Sequence, residues 1–133
     1  MTRFAIDPTT ALRLIQDDVS VADEHQLVAP NVLRSAVLTE LYRAVRRGGL
    51  TRAEGRVRLE RLASLRVRLL GDRVSRAVAW DLAEQLDLDD PTTAEYLAVA
   101  KLQADAFVTL DVEWARLAEG IVPVAPFDAL GTR

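Results

Sequence analysis

Apolar residues along this chain recur with two periods, one suited to strands and one to helices. Phe4-Ala5-Ile6 is a short apolar run closed by Asp7, which predicts a buried strand ending in an acid. Pro8-Thr9-Thr10 then opens a helix through Leu12, Leu14 and Ile15. After a polar stretch from Gln16 to Gln26, Leu27-Val28-Ala29 leads to Pro30 and a long helix is expected from near Asn31. Leu33, Val37, Leu41 and Ala44 keep helical spacing, and Arg46-Arg47-Gly48-Gly49 supplies cationic last-turn residues and a stop. Thr51-Arg52-Ala53-Glu54 has the form of a capping box, starting a helix with Val57, Leu59, Leu62 and Leu65.

Alternation over Arg66-Val67-Arg68-Leu69-Leu70, bounded by Gly71-Asp72, predicts a strand entering the sheet from its edge. A helix is expected over 73–85, and Pro91 restarts helix over 92–102, with Ala94, Leu97, Ala98 and Leu102 buried. Ala106-Phe107-Val108-Thr109-Leu110, ending at Asp111, reads as a central strand. A short helix over 113–118 and an edge strand at Ile121-Val122-Pro123-Val124 complete the pattern, proline being tolerated only where no ladder donor is needed. Repeated alternation of strand and helix predicts an α/β fold of three layers, a mostly parallel central sheet with helices on both faces.

Size adds that 133 residues suit one domain spanning 1–133, with one core and no internal repeat or linker. Half the residues are hydrophobic and 28% are charged, a globular balance that argues against disorder. The absence of cysteine removes disulfides, thiolate nucleophiles and zinc-thiolate sites. Met1 runs into the first strand without a signal-peptide core, and no apolar run approaches the roughly 20 residues of a membrane helix. A cytoplasmic protein with no membrane partner is the expectation. The net charge of −3 argues against a nonspecific nucleic-acid coat, yet arginines crowd between Arg43 and Arg76 while acids gather between Asp81 and Asp90. Such charges also serve simply to solvate helices.

Candidate chemistry narrows quickly. His25 is the only histidine, which excludes an imidazole pair within one chain and is read as a loop residue. No Ser-His-Asp set can be built beyond it, and Arg47-Gly48-Gly49-Leu50 lacks the spacing and lysine of a phosphate loop. Trp80, Tyr96 and Trp114 fall on predicted helices and are assigned to core packing rather than base stacking. Asp7 and Asp111 remain, each placed after a predicted strand, where open α/β sheets bind ligands. An aspartate in that position also serves as a helix cap or turn residue, so both roles stay open.

The order and spacing of several segments resemble PIN-domain proteins, particularly the VapC-like toxins of bacterial toxin–antitoxin pairs. The segments are Phe4-Ala5-Ile6-Asp7, Leu27-Val28-Ala29-Pro30, Leu41-Tyr42-Arg43-Ala44-Val45-Arg46-Arg47-Gly48, 94–100 and Ala106-Phe107-Val108-Thr109-Leu110-Asp111, and together they span nearly the whole chain. The resemblance implies a metal-dependent endoribonuclease scaffold, in which four acids hold Mg²⁺ or Mn²⁺ for hydrolysis of RNA. Hard cations of this kind prefer oxygen ligands. Asp7 and Asp111 occupy the first and last acidic positions, whereas the second and third are Ala36 and Thr93.

Two carboxylates can still hold one Mg²⁺ that keeps its waters. Glu40, one helical turn beyond Ala36, and Asp90, just before Pro91, are the candidate replacements. Their plainer roles are an exposed residue paired with Arg43 and a helix cap. The resemblance also implies RNA held by Arg43, Arg46 and Arg47, a homodimer, and a small antitoxin whose C-terminal segment enters the groove. Two other classes compete with an attenuated nuclease: a PIN fold that binds RNA or protein without hydrolysis, and a structural dimer module built on the helices between Thr51 and Gln85.

Overall fold

The computed structural model describes residues 1–131. The elements run β1 (Thr2–Ile6), α1 (Pro8–Asp17), β2 (His25–Pro30), α2 (Leu33–Arg46), α3 (Arg52–Ser64), β3 (Arg68–Leu70), α4 (Arg73–Gln85), α5 (Thr92–Gln103), β4 (Ala106–Val108) and α6 (Val112–Ala118), with a 3-10 turn over Phe127–Leu130. The strands form one parallel sheet in the order β3-β2-β1-β4, flanked by helices. This is the expected α/β architecture. Among the described residues no helix is long and apolar enough to cross a membrane.

Most elements follow from local signals. Thr51 and Glu54 do form a reciprocal capping box at the start of α3, and Asp72 and Ser75 form a second one at the start of α4. Each satisfies backbone donors that the first helical turn leaves open. Asp90 accepts from the backbone N–H of Thr92 at 2.9 Å, so it performs the capping role from one residue further out than expected.

Several expectations need correction. Leu27 to Pro30 is not a mere lead-in to a helix but the buried part of the inner strand β2, and its continuous apolar run reflects burial on both faces of a parallel sheet. His25 opens that strand rather than lying in a loop, with its ring edge-on to Phe4 at 4.9 Å between centroids. β4 ends at Val108, and beyond it only an isolated bridge joins Phe107 to Val124; β4 is thus outermost of the named strands, and 121–124 forms no full strand. Trp80 and Leu102, assigned to the core, are exposed, because each falls on the outward side of a helix whose buried positions lie elsewhere.

The core gathers Ile6, Val28, Leu33, Val37, Leu97, Phe107 and Leu130 around the sheet. A tight approach holds α3 on α2, since a Cβ built on buried Gly55 would lie 2.9 Å from Val45 Cγ2. Overpacking costs about 1–3 kcal/mol, more than the roughly 1 kcal/mol that replacing a helical glycine by alanine returns. Gly55→Ala is therefore expected to lower stability in urea denaturation by about 1 kcal/mol. Adding Val45→Ala should recover part of that loss, and an additive double mutant would locate the strain elsewhere.

Candidate active site

Asp7 directly follows β1, and Asp111 lies three residues beyond the end of β4. The two strands are parallel neighbours, with Ala5 opposite Phe107 and Ile6 opposite Val108. Both aspartates therefore emerge at the same sheet edge. The plainer reading of each holds, because Asp7 caps α1 and Asp111 caps α6.

Threonine hydroxyls bind the two junctions together. Asp7 is fully buried; its Oδ1 accepts from the Thr10 N–H at 3.0 Å and the Thr9 hydroxyl at 2.8 Å. Its Oδ2 accepts from the Thr109 hydroxyl at 2.5 Å. The Thr109 oxygen in turn receives the Asp111 N–H at 3.0 Å, and the Thr9 oxygen receives the Leu110 N–H at 2.9 Å. Thr10 closes the clasp by donating to the Val108 carbonyl at 2.8 Å. Burial pushes the Asp7 carboxyl above the usual aspartate range, against the lowering effect of the bonds from Thr109, Thr10 and Thr9.

A cleft of about 520 Å³ opens beside this clasp. Asp7 and Asp111 line it, and so do Ala36, Glu40, Glu95 and Tyr96. Four carboxylates from four separate segments thus face one cavity. Glu40 is there although it also pairs with Arg43 at 3.6 Å, as the plainer reading expected. Thr93, Asp90, Arg43, Arg46 and Arg47 do not line the cleft. Arg46 instead borders a separate groove between α2 and α3, beside Arg52 and Arg56. Thr92, Glu95 and Tyr96 take the place expected of Thr93 on α5. Sequence reasoning passed over Glu95 and read Tyr96 as core alone. Their spacing from Thr92, three and four residues on, was the available signal that the three share a helical face.

Tyr96 belongs to both core and cleft. It is 1% exposed and its ring lies 5.3 Å from that of Trp114, yet its hydroxyl has no hydrogen-bond partner among the described residues. Leaving such a group unpaired costs about 1–3 kcal/mol. Burial first, and then the charges of Asp7 and Glu95, push its pKa upward.

An ionised carboxylate offers about four lone-pair sites, so the bonds above leave one on Asp7 Oδ2, while both bonds to the Asp111 side chain go to Oδ1. No three acidic or histidine side chains among the described residues stand close enough to share an ion. The carboxylates lining the cleft fit at most a hydrated divalent ion held loosely, not a fully ligated one, since Asp7 itself is fully buried and the Tyr96 hydroxyl is closed to solvent.

The fold these features sit on is PIN-like. The chain is similar to PAE2754 from Pyrobaculum aerophilum, with a TM-score of 0.74, 19% identity, and 97% of this chain and 92% of that one covered. It is also similar to VapBC2 from Rickettsia felis, solved bound to a DNA fragment from its promoter, with a TM-score of 0.68, 8% identity, and 93% and 98% covered. No family model matches the sequence, and no curated relative does.

Because the native state of Asp7 holds its proton to higher pH than the unfolded chain, the group favours folding most at low pH. That contribution is lost as pH rises from the ordinary aspartate range through the raised native value. Asp7→Asn keeps the capping acceptor without the buried charge, so its thermal midpoint should match wild type near pH 4 and exceed it near pH 8. Asp7→Ala loses the cap as well and should cost about 1 kcal/mol. Thermal melts across pH provide the check; an Asp7→Asn midpoint below wild type at pH 8 contradicts the assignment.

Proposed function

We propose that this chain is an attenuated VapC-like endoribonuclease, a cytoplasmic toxin-type domain spanning 1–133 that hydrolyses RNA phosphodiesters with Mg²⁺ or Mn²⁺. The observation carrying this reading is the meeting of Asp7 and Asp111, distant in sequence, in one cleft with Glu40 and Glu95. When bound, the ion supplies an activated water and neutralises charge developing on the phosphate. Asp7 and Asp111 would hold it, with Glu40 and Glu95 contributing charge from the cleft walls.

The clasp fixes the two aspartates before any ligand arrives, so little ordering remains for binding to accomplish. Ala36 faces the cleft without a carboxylate, and the acid expected at Thr93 is likewise missing. This weaker field is the physical reason for attenuation. Asp90 is occupied as a cap and is set aside as a ligand. Arg43 and Arg46, exposed on the last turns of α2, and Arg47 at its C-cap would meet RNA phosphates outside the cleft. The resemblance to VapC-like toxins further suggests a homodimer and a small antitoxin as partner.

A second reading has its own support. The two hydroxyl bonds and one backbone N–H bond that nearly saturate Asp7, and the lack of any close trio of acids among the described residues, favour a PIN fold that binds RNA or protein without cutting.

The two readings separate in one assay. Purified protein with Mn²⁺ should cleave RNA slowly, and Asp7→Asn with Asp111→Asn should stop it; RNA binding without cleavage by the wild type would select the second reading. Restoring both missing acids, Ala36→Glu with Thr93→Asp, should raise Mn²⁺ affinity and cleavage rate by about tenfold or more. No gain in either would mean that the cleft is not a metal site.

A further inference from the structure

Among the described residues no arginine or lysine lines the acid-bearing cleft, so a polyanion entering it meets like charge without a compensating cation. Two hollows joined to the cleft supply what it lacks. One, of about 450 Å³, shares Leu12 and Glu40 with the cleft and adds Arg58. The other, of about 180 Å³, shares Val32 and Glu95 and adds Arg76. Val32 and Glu40 are the first and last residues that α2 and its N-cap contribute to the cleft wall, about 12 Å apart along the helix axis. The hollows therefore open at opposite ends, and the three spaces form one track with a cation at each end and carboxylates between.

Both arginines can take a ligand. Arg76 is exposed and Arg58 half-buried, and neither forms an ion pair among the described residues. Each feels the more distant charge of an acid four residues earlier, Glu54 for Arg58 and Asp72 for Arg76. A guanidinium matches phosphate bidentately. A small anion would fill one end of the track and leave the other empty, whereas the backbone of a nucleic-acid strand is extended and carries its anions at intervals. Resting on the RNA-directed reading above, we propose that Arg58 and Arg76 are phosphate-binding residues, holding a single RNA strand on either side of the segment that lies over the cleft. The two contacts offset the repulsion from Glu40, Glu95 and Asp111 between them, which is how an acid-lined cleft can admit a polyanion at all.

Binding of a labelled single-stranded RNA in chelator, followed by fluorescence anisotropy at several salt concentrations, tests this. Arg58→Ala and Arg76→Ala should each weaken binding about tenfold and reduce the slope of log affinity against log salt by about 0.7, the share of one phosphate contact on a single strand. Arg58→Lys and Arg76→Lys keep the charge and should keep the slope; a slope reduced by lysine as much as by alanine would show the side chains acting through the fold and overturn the assignment. Arg52→Ala, in the separate groove between α2 and α3, should leave affinity and slope unchanged, and an equal fall there sinks the track in favour of diffuse charge. Loss at only one of the two arginines overturns a track that needs both ends. Wild-type slopes in both alanine variants overturn the inference while the RNA-directed reading stands. If wild type binds no RNA, that reading falls and the inference falls with it.

Discussion

The pairing of β1 with β4 is the constraint on which the cleft depends. It joins the first strand to the last named one and brings Asp7 and Asp111 to the same sheet edge. A parallel pair cannot be made by a tight turn, so its partners must be brought together through the crossovers and helices between them. The side chains then reinforce what the backbone began. Thr9, Thr10 and Thr109 link strand ends whose ladder has stopped, and each hydroxyl satisfies a group that burial would otherwise leave unpaired.

In the proposed reading one carboxylate serves both structure and chemistry. Asp7 caps a helix, anchors the neighbouring strand's loop and still keeps an acceptor site. The cost is a buried charge, and the Thr109, Thr10 and Thr9 donors offset only part of it, so burial still pushes the carboxyl above the usual aspartate range. Proteins often accept instability where function requires an awkward group, and under the proposed reading Asp7 is one. Asp111 carries less of the burden, being only partly buried.

Much of this was legible in the sequence, for physical reasons that differ from place to place. Thr51, Glu54 and the residues of α4 signal their elements locally, through caps and helical spacing. Asp7 and Asp111 were legible because an apolar run closed by an acid is a strand-end pattern. β2 was not, since Leu27-Val28-Ala29 before a proline suits a lead-in as well as a strand buried on both faces. Glu95 was hidden by α5 itself: Ala94 and every residue from Tyr96 to Ala100 are buried, so the sequence marks no single face as the one turned toward a cleft. Trp80 shows the converse, an aromatic at helical spacing that the fold leaves outside.

The clasp between residues 7–10 and 108–111 spans nearly the whole described chain, which makes it a contact of very long sequence separation. Such contacts are closed late, because loop entropy must be overcome before they stabilise anything. On a ribosome, β1 and α1 emerge early with the Thr9 and Thr10 donors to Asp7 already at hand, but the Thr109 hydroxyl reaches it only after β4 has followed. The pocket is therefore among the last parts of the molecule to exist, and any ligand that favours it acts on the final step of folding rather than the first.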